Sequence, residues 1–402
     1  MIMKIDPYGH KQTYLNWKAK VRNGIPSLSK KNSDVILQYL SDMEKGLNVS
    51  AASVKGSRSY SRLNNLRARV IFLAKNLENS YGVSLTDINE EQIFSFFNNM
   101  RNGTIKRKDG KPYQSVVDFV KTFKAFWHWH IKTSAKKDVA VKDITKDLDT
   151  SSIKAKWVYL TEQQIKLLCE NAKWEYRVLI MFMYDTGIRS PGELINIKVS
   201  DLYNDFKELH IRDEVVKKGS FGRKVKLMLC SDLLKSYVSI KGLNNNDQLF
   251  HISPRAVNQY LQRLAKRVFG DGESLAGEKY SKLTMYDFRH CSCCYWLPRY
   301  KSESALKYRF GWKKSDKIHY YSELLGMRDT ISEDDMLIDI TKTEIEKRLL
   351  KTEQENDILK EKVELMQNDR IKTDESIRKL ASLMQVYITK LKQLEEIQVN
   401  IK

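Results

Sequence analysis

Apolar residues change their spacing along this chain, and the changes confine it to helices with one small patch of sheet. Leu63, Leu66, Val70, Leu73 and Leu77 repeat at helical spacing, as do Val116, Phe119, Val120, Phe123 and Trp127, and SDVILQYLSDMEK at 33–45 is a further amphipathic helix. A polar, Lys-rich stretch at 133–156 carries no apolar period and reads as a linker, so the chain has at least two cores. Two more helices are expected at LTEQQIKLLCENA and EYRVLIMFMYDTG, followed by three alternating segments that read as strands. In KVKLML, Val225, Leu227 and Leu229 face one way and Lys224, Lys226 and Met228 the other. Helical spacing resumes near Pro254. The expected fold class is therefore mainly α with a small β-sheet.

The last 60 or so residues keep a heptad frame, with a and d positions at Ile345, Leu349, Thr352, Asn356, Leu359, Val363 and Met366, then Ile377, Leu380, Met384, Tyr387, Leu391 and Leu394. A coiled-coil-like helix is expected over 341–402. An Asn at an a position suits a register-setting role in self-association, and one long helix packed on its own body fits the pattern as well.

Charge separates these parts by task. Lys and Arg number 70 against 50 Asp and Glu, a net charge of +20, while residues 341–402 carry 13 basic and 12 acidic side chains. Almost the whole excess lies in the body, which points to a polyanion there, with nucleic acid ahead of an anionic membrane surface. No apolar run reaches the ~18 residues of a spanning helix, and the start lacks a secretory signal. Five cysteines, three of them at Cys291, Cys293 and Cys294, form no spaced disulfide framework. The chain reads as intracellular, with reduced thiols.

Ser190-Pro191-Gly192-Glu193 has the pattern of a capping box, which would set Arg189 just before a helix N-terminus, a good place to clamp a phosphate. LTMYDFRHCSCCYW places Arg289 and His290 in a helical segment with no local acid beyond Asp287, and a buried guanidinium is costly unless an anion visits it. His290 and the neighbouring cysteines point in different directions on a helix and cannot close a zinc tetrahedron by themselves, so core packing is expected of them. His128 and His130 in FWHWH read as aromatic packing. No metal-binding or nucleotide-binding pattern stands out, and neither metal nor cofactor is expected.

In order along the chain stand T-G-x-R ending at Arg189, a basic hairpin, Y-D-x-R-H around Arg289, G-W at Trp312, and Tyr321 nine residues after it. That order resembles the tyrosine recombinase (phage integrase) family over about residues 57–326. The wording TGIRSPGEL, GW and YYSEL is most similar to integrases of archaeal viruses and plasmids. The resemblance implies Arg189 and Arg289 as the phosphate-binding arginines, Lys218 in preference to Lys217 as the hairpin lysine, Trp312 at the His-or-Trp position and Tyr321, in preference to Tyr320, as the nucleophile. Tyr286 stands where the family most often has His, and with an ordinary pKa near 10 a tyrosine is a poorer base at neutral pH. Glu193, one residue later than in most bacterial relatives, reads first as a cap and second as a positioning group.

The resemblance further implies an N-terminal helical segment (1–56), a helical, SAM-like core-binding DNA-binding domain (57–135), a linker (136–156) and a mixed α/β catalytic domain (157–330), the two domains clamping opposite faces of a duplex. It implies a cytoplasmic enzyme, working on DNA in its host cell. The enzyme would integrate or excise a mobile element by cutting DNA attachment sites through a 3′-phosphotyrosyl intermediate, as a homo-tetramer on two duplexes, with no cofactor. The competing readings are a type IB topoisomerase-like DNA relaxase and a noncatalytic DNA-binding protein derived from an integrase.

Overall fold

The structure is a computed structural model that describes residues 4–47, 56–151, 156–217, 220–300 and 302–325. Of the tail it describes 352, 356, 359–360, 362–364, 366–367, 370 and 373–388. Two compact units result, residues 1–326 and 327–402.

In the first unit, α1 (His10–Lys20), α2 (Lys30–Lys45), α3 (Tyr60–Tyr81), α4 (Glu90–Arg101) and α5 (Val116–Ala135) come first. Their starts are chemically marked. Ser29 and Ser59 cap α2 and α3 through their side chains, and Asn89 and Gln92 form a reciprocal capping box on α4. The expected stripes meet in one core that holds Tyr14, Ile36, Leu63, Val70, Phe96 and Phe123. α1 and α2 thus share their core with α3–α5. The stretch read as linker also contributes, since Ile144 and Leu148 are buried in this core and Trp127 Nε1 donates to the Lys142 carbonyl at 3.0 Å. Two apolar residues without a period were enough to seat a segment that composition alone marks as a spacer.

A second core follows. α6 (Glu162–Glu170) opens on a Thr161–Gln164 capping box, and α7 (Trp174–Thr186) is buried along most of its length. The three-stranded antiparallel sheet runs β1 (Leu202–Tyr203), β2 (Glu208–Ile211), β3 (Arg223–Lys226), with Leu209 opposite Val225 and Ile211 opposite Arg223. The alternation expected of KVKLML holds, with Val225 and Leu227 buried and Lys224, Lys226 and Met228 exposed. Helices α8 (Ser231–Lys241), α9 (Pro254–Phe269), α10 (Asp287–Trp296), α11 (Glu303–Phe310) and α12 (Asp316–Leu324) complete the unit. α7 packs on α10, and the Trp296 indole N–H donates to the Asp185 carbonyl at 2.8 Å, fixing their register.

In the second unit the described residues are helical. Leu359, Val363, Met366, Ile377, Leu380, Met384 and Tyr387, the expected seam, are exposed.

Among the described residues no helix is long and apolar enough to cross a membrane, and the five cysteines are free and buried.

Candidate active site

The site is assembled where α7 ends. Gly187 closes the helix with φ of 58°, and a Cβ there would lie 2.3 Å from the Phe310 ring. Only glycine allows both the left-handed turn and this approach. The same turn aims the Gly187 carbonyl at Arg289, whose Nη1 donates to it while Nη2 donates to the Phe310 carbonyl, both at 2.5 Å.

Arg189 follows at once, but no α-helix begins at Ser190. The segment 190–193 is a turn in which the Glu193 N–H bonds the Arg189 carbonyl at 2.8 Å, leading only into a single 3₁₀ turn at Leu194–Asn196. Glu193 is therefore no cap of an α-helix. Its carboxylate is buried between two guanidinium groups, accepting from Arg189 Nη1 at 2.6 Å on one oxygen and from Arg223 Nη2 at 3.0 Å on the other. Burial pushes this carboxyl up, but Arg223 and Arg189 more than reverse that and hold it below its ordinary value.

Arg189 is also tied to the hairpin and to the G-W turn. Its Nη1 donates to Ser220 Oγ and its Nη2 to the Gly311 carbonyl, both at 3.0 Å, and Ser220 Oγ donates to that carbonyl at 2.9 Å. Gly311 has φ of 61°, and a Cβ there would come within 3.0 Å of Arg223 Nη1. The Arg189 side chain keeps 22% of its surface exposed. Lys218, the expected hairpin lysine, lies outside the described residues.

Three guanidinium groups thus surround one carboxylate. Among the described residues Arg289 has no carboxylate partner; Asp287 accepts instead from the N–H groups of Thr284 and Val158. Burial first, then Arg189 and Arg223, pull Arg289 down to about 10. An anion entering here would relieve that cationic excess.

Trp312 connects the arginines to the tyrosine. Arg289 lies over its ring at 5.6 Å, and Tyr321 stacks on it with centroids 6.0 Å apart and planes 11° apart. Tyr321 is 2% exposed, and its hydroxyl is hydrogen bonded to His290 Nδ1. Burial, with Cys293 and Tyr286 adding to it, pushes that hydroxyl well above its ordinary value, against the pull of Arg289. Tyr320 has a different partner, accepting from Trp157 Nε1 at 2.6 Å. Tyr286 is 47% exposed, with its ring edge on His290 at 5.1 Å.

The structure therefore brings together Arg189, Arg289, Trp312 and Tyr321, and sets Tyr286 at the edge. Sequence reasoning missed Arg223, Ser220 and the contact of His290 with Tyr321. For Arg223 a signal existed, because it shares the β-alternation of Val225 and Leu227, and a charge at a buried register position needs a partner. For His290 the only signal was its adjacency to Arg289.

Residues 158–326 match the phage integrase family. No curated protein sequence matches the chain. Among solved structures the chain is similar to a lambda integrase dimer bound to a COC′ core site, with TM-score 0.54 and 16% identity over 74% of this chain and 79% of that one. It is also similar to the Tn1549 transposon integrase in complex with transposon right end DNA, with TM-score 0.52 and 14% identity over 76% and 97% of the two chains. A lambda integrase tetramer bound to a Holliday junction gives TM-score 0.52 and 15% identity over 76% and 80%. At these identities the structural likeness speaks for the fold, and the sequence match speaks for the family. The match to the phage integrase family, the tyrosine recombinases, thus covers residues 158–326, the part of the chain that holds this site.

Proposed function

We propose that this chain is a site-specific DNA recombinase that integrates or excises a mobile element through a 3′-phosphotyrosyl intermediate. The observation that carries this is the family domain at 158–326, with Arg189, Arg289, Trp312 and Tyr321 converging inside it. In this reading the Tyr321 hydroxyl attacks a DNA phosphodiester and releases a 5′-hydroxyl, so the bond energy is retained in the protein link. Arg189 and Arg289 hold the nonbridging oxygens as charge builds on them, and their placement beforehand by Glu193 and by main-chain carbonyls removes the cost of arranging donors during reaction. Trp312 packs beside the phosphate, Lys218 protonates the leaving 5′ oxygen, and Tyr286, at the rim, contacts the DNA backbone.

The partners in this reading are double-stranded attachment sites and further copies of the chain, up to a tetramer on two sites. The structures of lambda integrase bound to core-site DNA and to a Holliday junction, and of the Tn1549 integrase in complex with transposon right end DNA, support it. The helical domain at 57–135 and the catalytic domain at 157–330 would grip opposite duplex faces. The enzyme would work on DNA in the cytoplasm of its host, and the wording TGIRSPGEL and YYSEL supports kinship with integrases of archaeal viruses and plasmids. A topoisomerase-like relaxase shares the chemistry but performs no strand exchange, so recombination between two sites separates the readings.

The test is covalent trapping on a nicked suicide duplex bearing a core site that the protein selects from a random-sequence duplex pool. Wild type should form an adduct whose peptide carries the nucleotide on Tyr321, and Tyr321→Phe should abolish it with binding intact. An adduct on Tyr320, or none, would refute the assignment.

A further inference from the structure

The family pattern most often puts a histidine at the position Tyr286 fills, which leaves open what receives the proton of the attacking tyrosine. The answer lies four residues further along α10. His290 Nδ1 is hydrogen bonded to the Tyr321 hydroxyl, and the imidazole is held against the Trp157 ring with centroids 4.7 Å apart and planes 32° apart. Trp157 in turn donates to the Tyr320 hydroxyl, so the base of the site and both tyrosines of α12 are fixed by one indole.

Other groups near Tyr321 are poor proton acceptors. Cys293 and Cys294 are buried thiols pushed far above their ordinary range, and their protons stay on. The Asp287 carboxylate is occupied by Thr284 and by the Val158 N–H. Arg289 carries only donors. A nucleophile shut away from water needs a local acceptor, and a neutral imidazole with its proton on Nε2 offers the Nδ1 lone pair where the phenol points.

We propose that His290 is the general base of strand cleavage in this protein, an inference that rests on the reading of Tyr321 as the nucleophile. In cleavage the phenolic proton passes from Tyr321 Oη to His290 Nδ1, the Oη–P bond forms, the P–O5′ bond breaks, and the leaving oxygen takes a proton from a separate acid, Lys218 in the reading above. In rejoining, a 5′-hydroxyl attacks the phosphotyrosine, loses its own proton to that second group, and the imidazolium returns its proton to the tyrosine oxygen. Atoms and charge balance over the cycle with no further reactant.

The test uses the full-length protein, single-turnover cleavage of the selected core-site suicide duplex, and two variants. His290→Ala should cut ~10²- to 10⁴-fold more slowly, the usual worth of a positioned base, with DNA affinity and melting temperature kept, and added imidazole should restore part of the rate. His290→Asn keeps a polar atom near the Nδ1 position but cannot take a proton, and should stay as slow as Ala. Replacing the bridging 5′ oxygen by sulfur removes the need for the acid alone, so it should rescue Lys218→Ala and leave both His290 variants slow. An Asn variant at wild-type rate would make His290 a mere holder of the tyrosine and overturn the proposal, as would rescue of the His290 variants by the sulfur substrate. A wild-type adduct missing from Tyr321 would sink the nucleophile and its base together, whereas an adduct on Tyr321 with undiminished rates in both variants would sink the base alone.

Discussion

Glu193 Oε2 and Arg223 Nη2 meet at 3.0 Å with both side chains almost wholly out of water. Breaking a buried pair by removing one partner costs about 3–5 kcal/mol, because the other charge is left without compensation. Arg223→Met should therefore lower stability by that order in denaturant unfolding. Glu193→Gln should weaken the fold and also change its pH dependence. Because the folded carboxyl lies below its ordinary 4.5, its contribution is complete above about 4.5 and is lost as pH falls through the lower folded value. The wild type should lose this contribution in acid, and the Gln variant should not; parallel pH–stability curves for the two would refute the pairing.

Arg189→Ala and Arg289→Ala should each cost about 3–4 kcal/mol of transition-state stabilisation, by analogy with lost oxyanion donors. Binding of the same core site should fall far less. Single-turnover rates and gel-shift affinities measured together check this, and an equal loss in both would reduce the arginines to backbone anchors.

Gly187→Ala is expected to be damaging out of proportion to one methyl group. The new Cβ would fall 2.3 Å from Phe310 Cε1, at a φ that alanine resists. The turn would have to move, taking with it the carbonyl that holds Arg289. A melting temperature lowered by several degrees together with slowed cleavage is the expected outcome; a variant that melts and cleaves like wild type contradicts it.

The tail should govern association. Its seam residues Leu359, Met366, Ile377, Leu380 and Tyr387 are exposed, and its charge is nearly balanced. Removing residues 341–402 should leave the salt dependence of single-site binding almost unchanged, since few phosphate contacts would be lost. Sedimentation analysis should show a smaller assembly, and synapsis of two sites should weaken. A truncated protein that assembles as before, or that loses several units of salt slope, would rule this out.

Periodicity was enough to place α2, α3, α5, α6, α7 and α9, the small sheet and the inward face of β3, because burying a stripe or an alternate row is a local consequence of residue order, whereas α1, α4 and α8 were not placed by it. The family resemblance carried by the motif order singled out Arg189, Arg289, Trp312 and Tyr321, and the fold places these four side chains near one another. The roles inside the site were another matter. Ser190-Pro191-Gly192-Glu193 has the residues of a capping box, yet no α-helix starts there and the Glu193 carboxylate is buried between Arg189 and Arg223, the latter 30 residues away on β3. His290 looked like packing beside its cysteines until α10 was laid against α12, 31 residues further on, and its ring met Tyr321. Segment 136–156 lacks any period, and still Ile144 and Leu148 are seated in the first core. Short-range pattern records which side of an element is apolar. Which charge faces which, and which ring nitrogen meets a hydroxyl, is decided only when distant elements pack, because those contacts join residues that no local period relates.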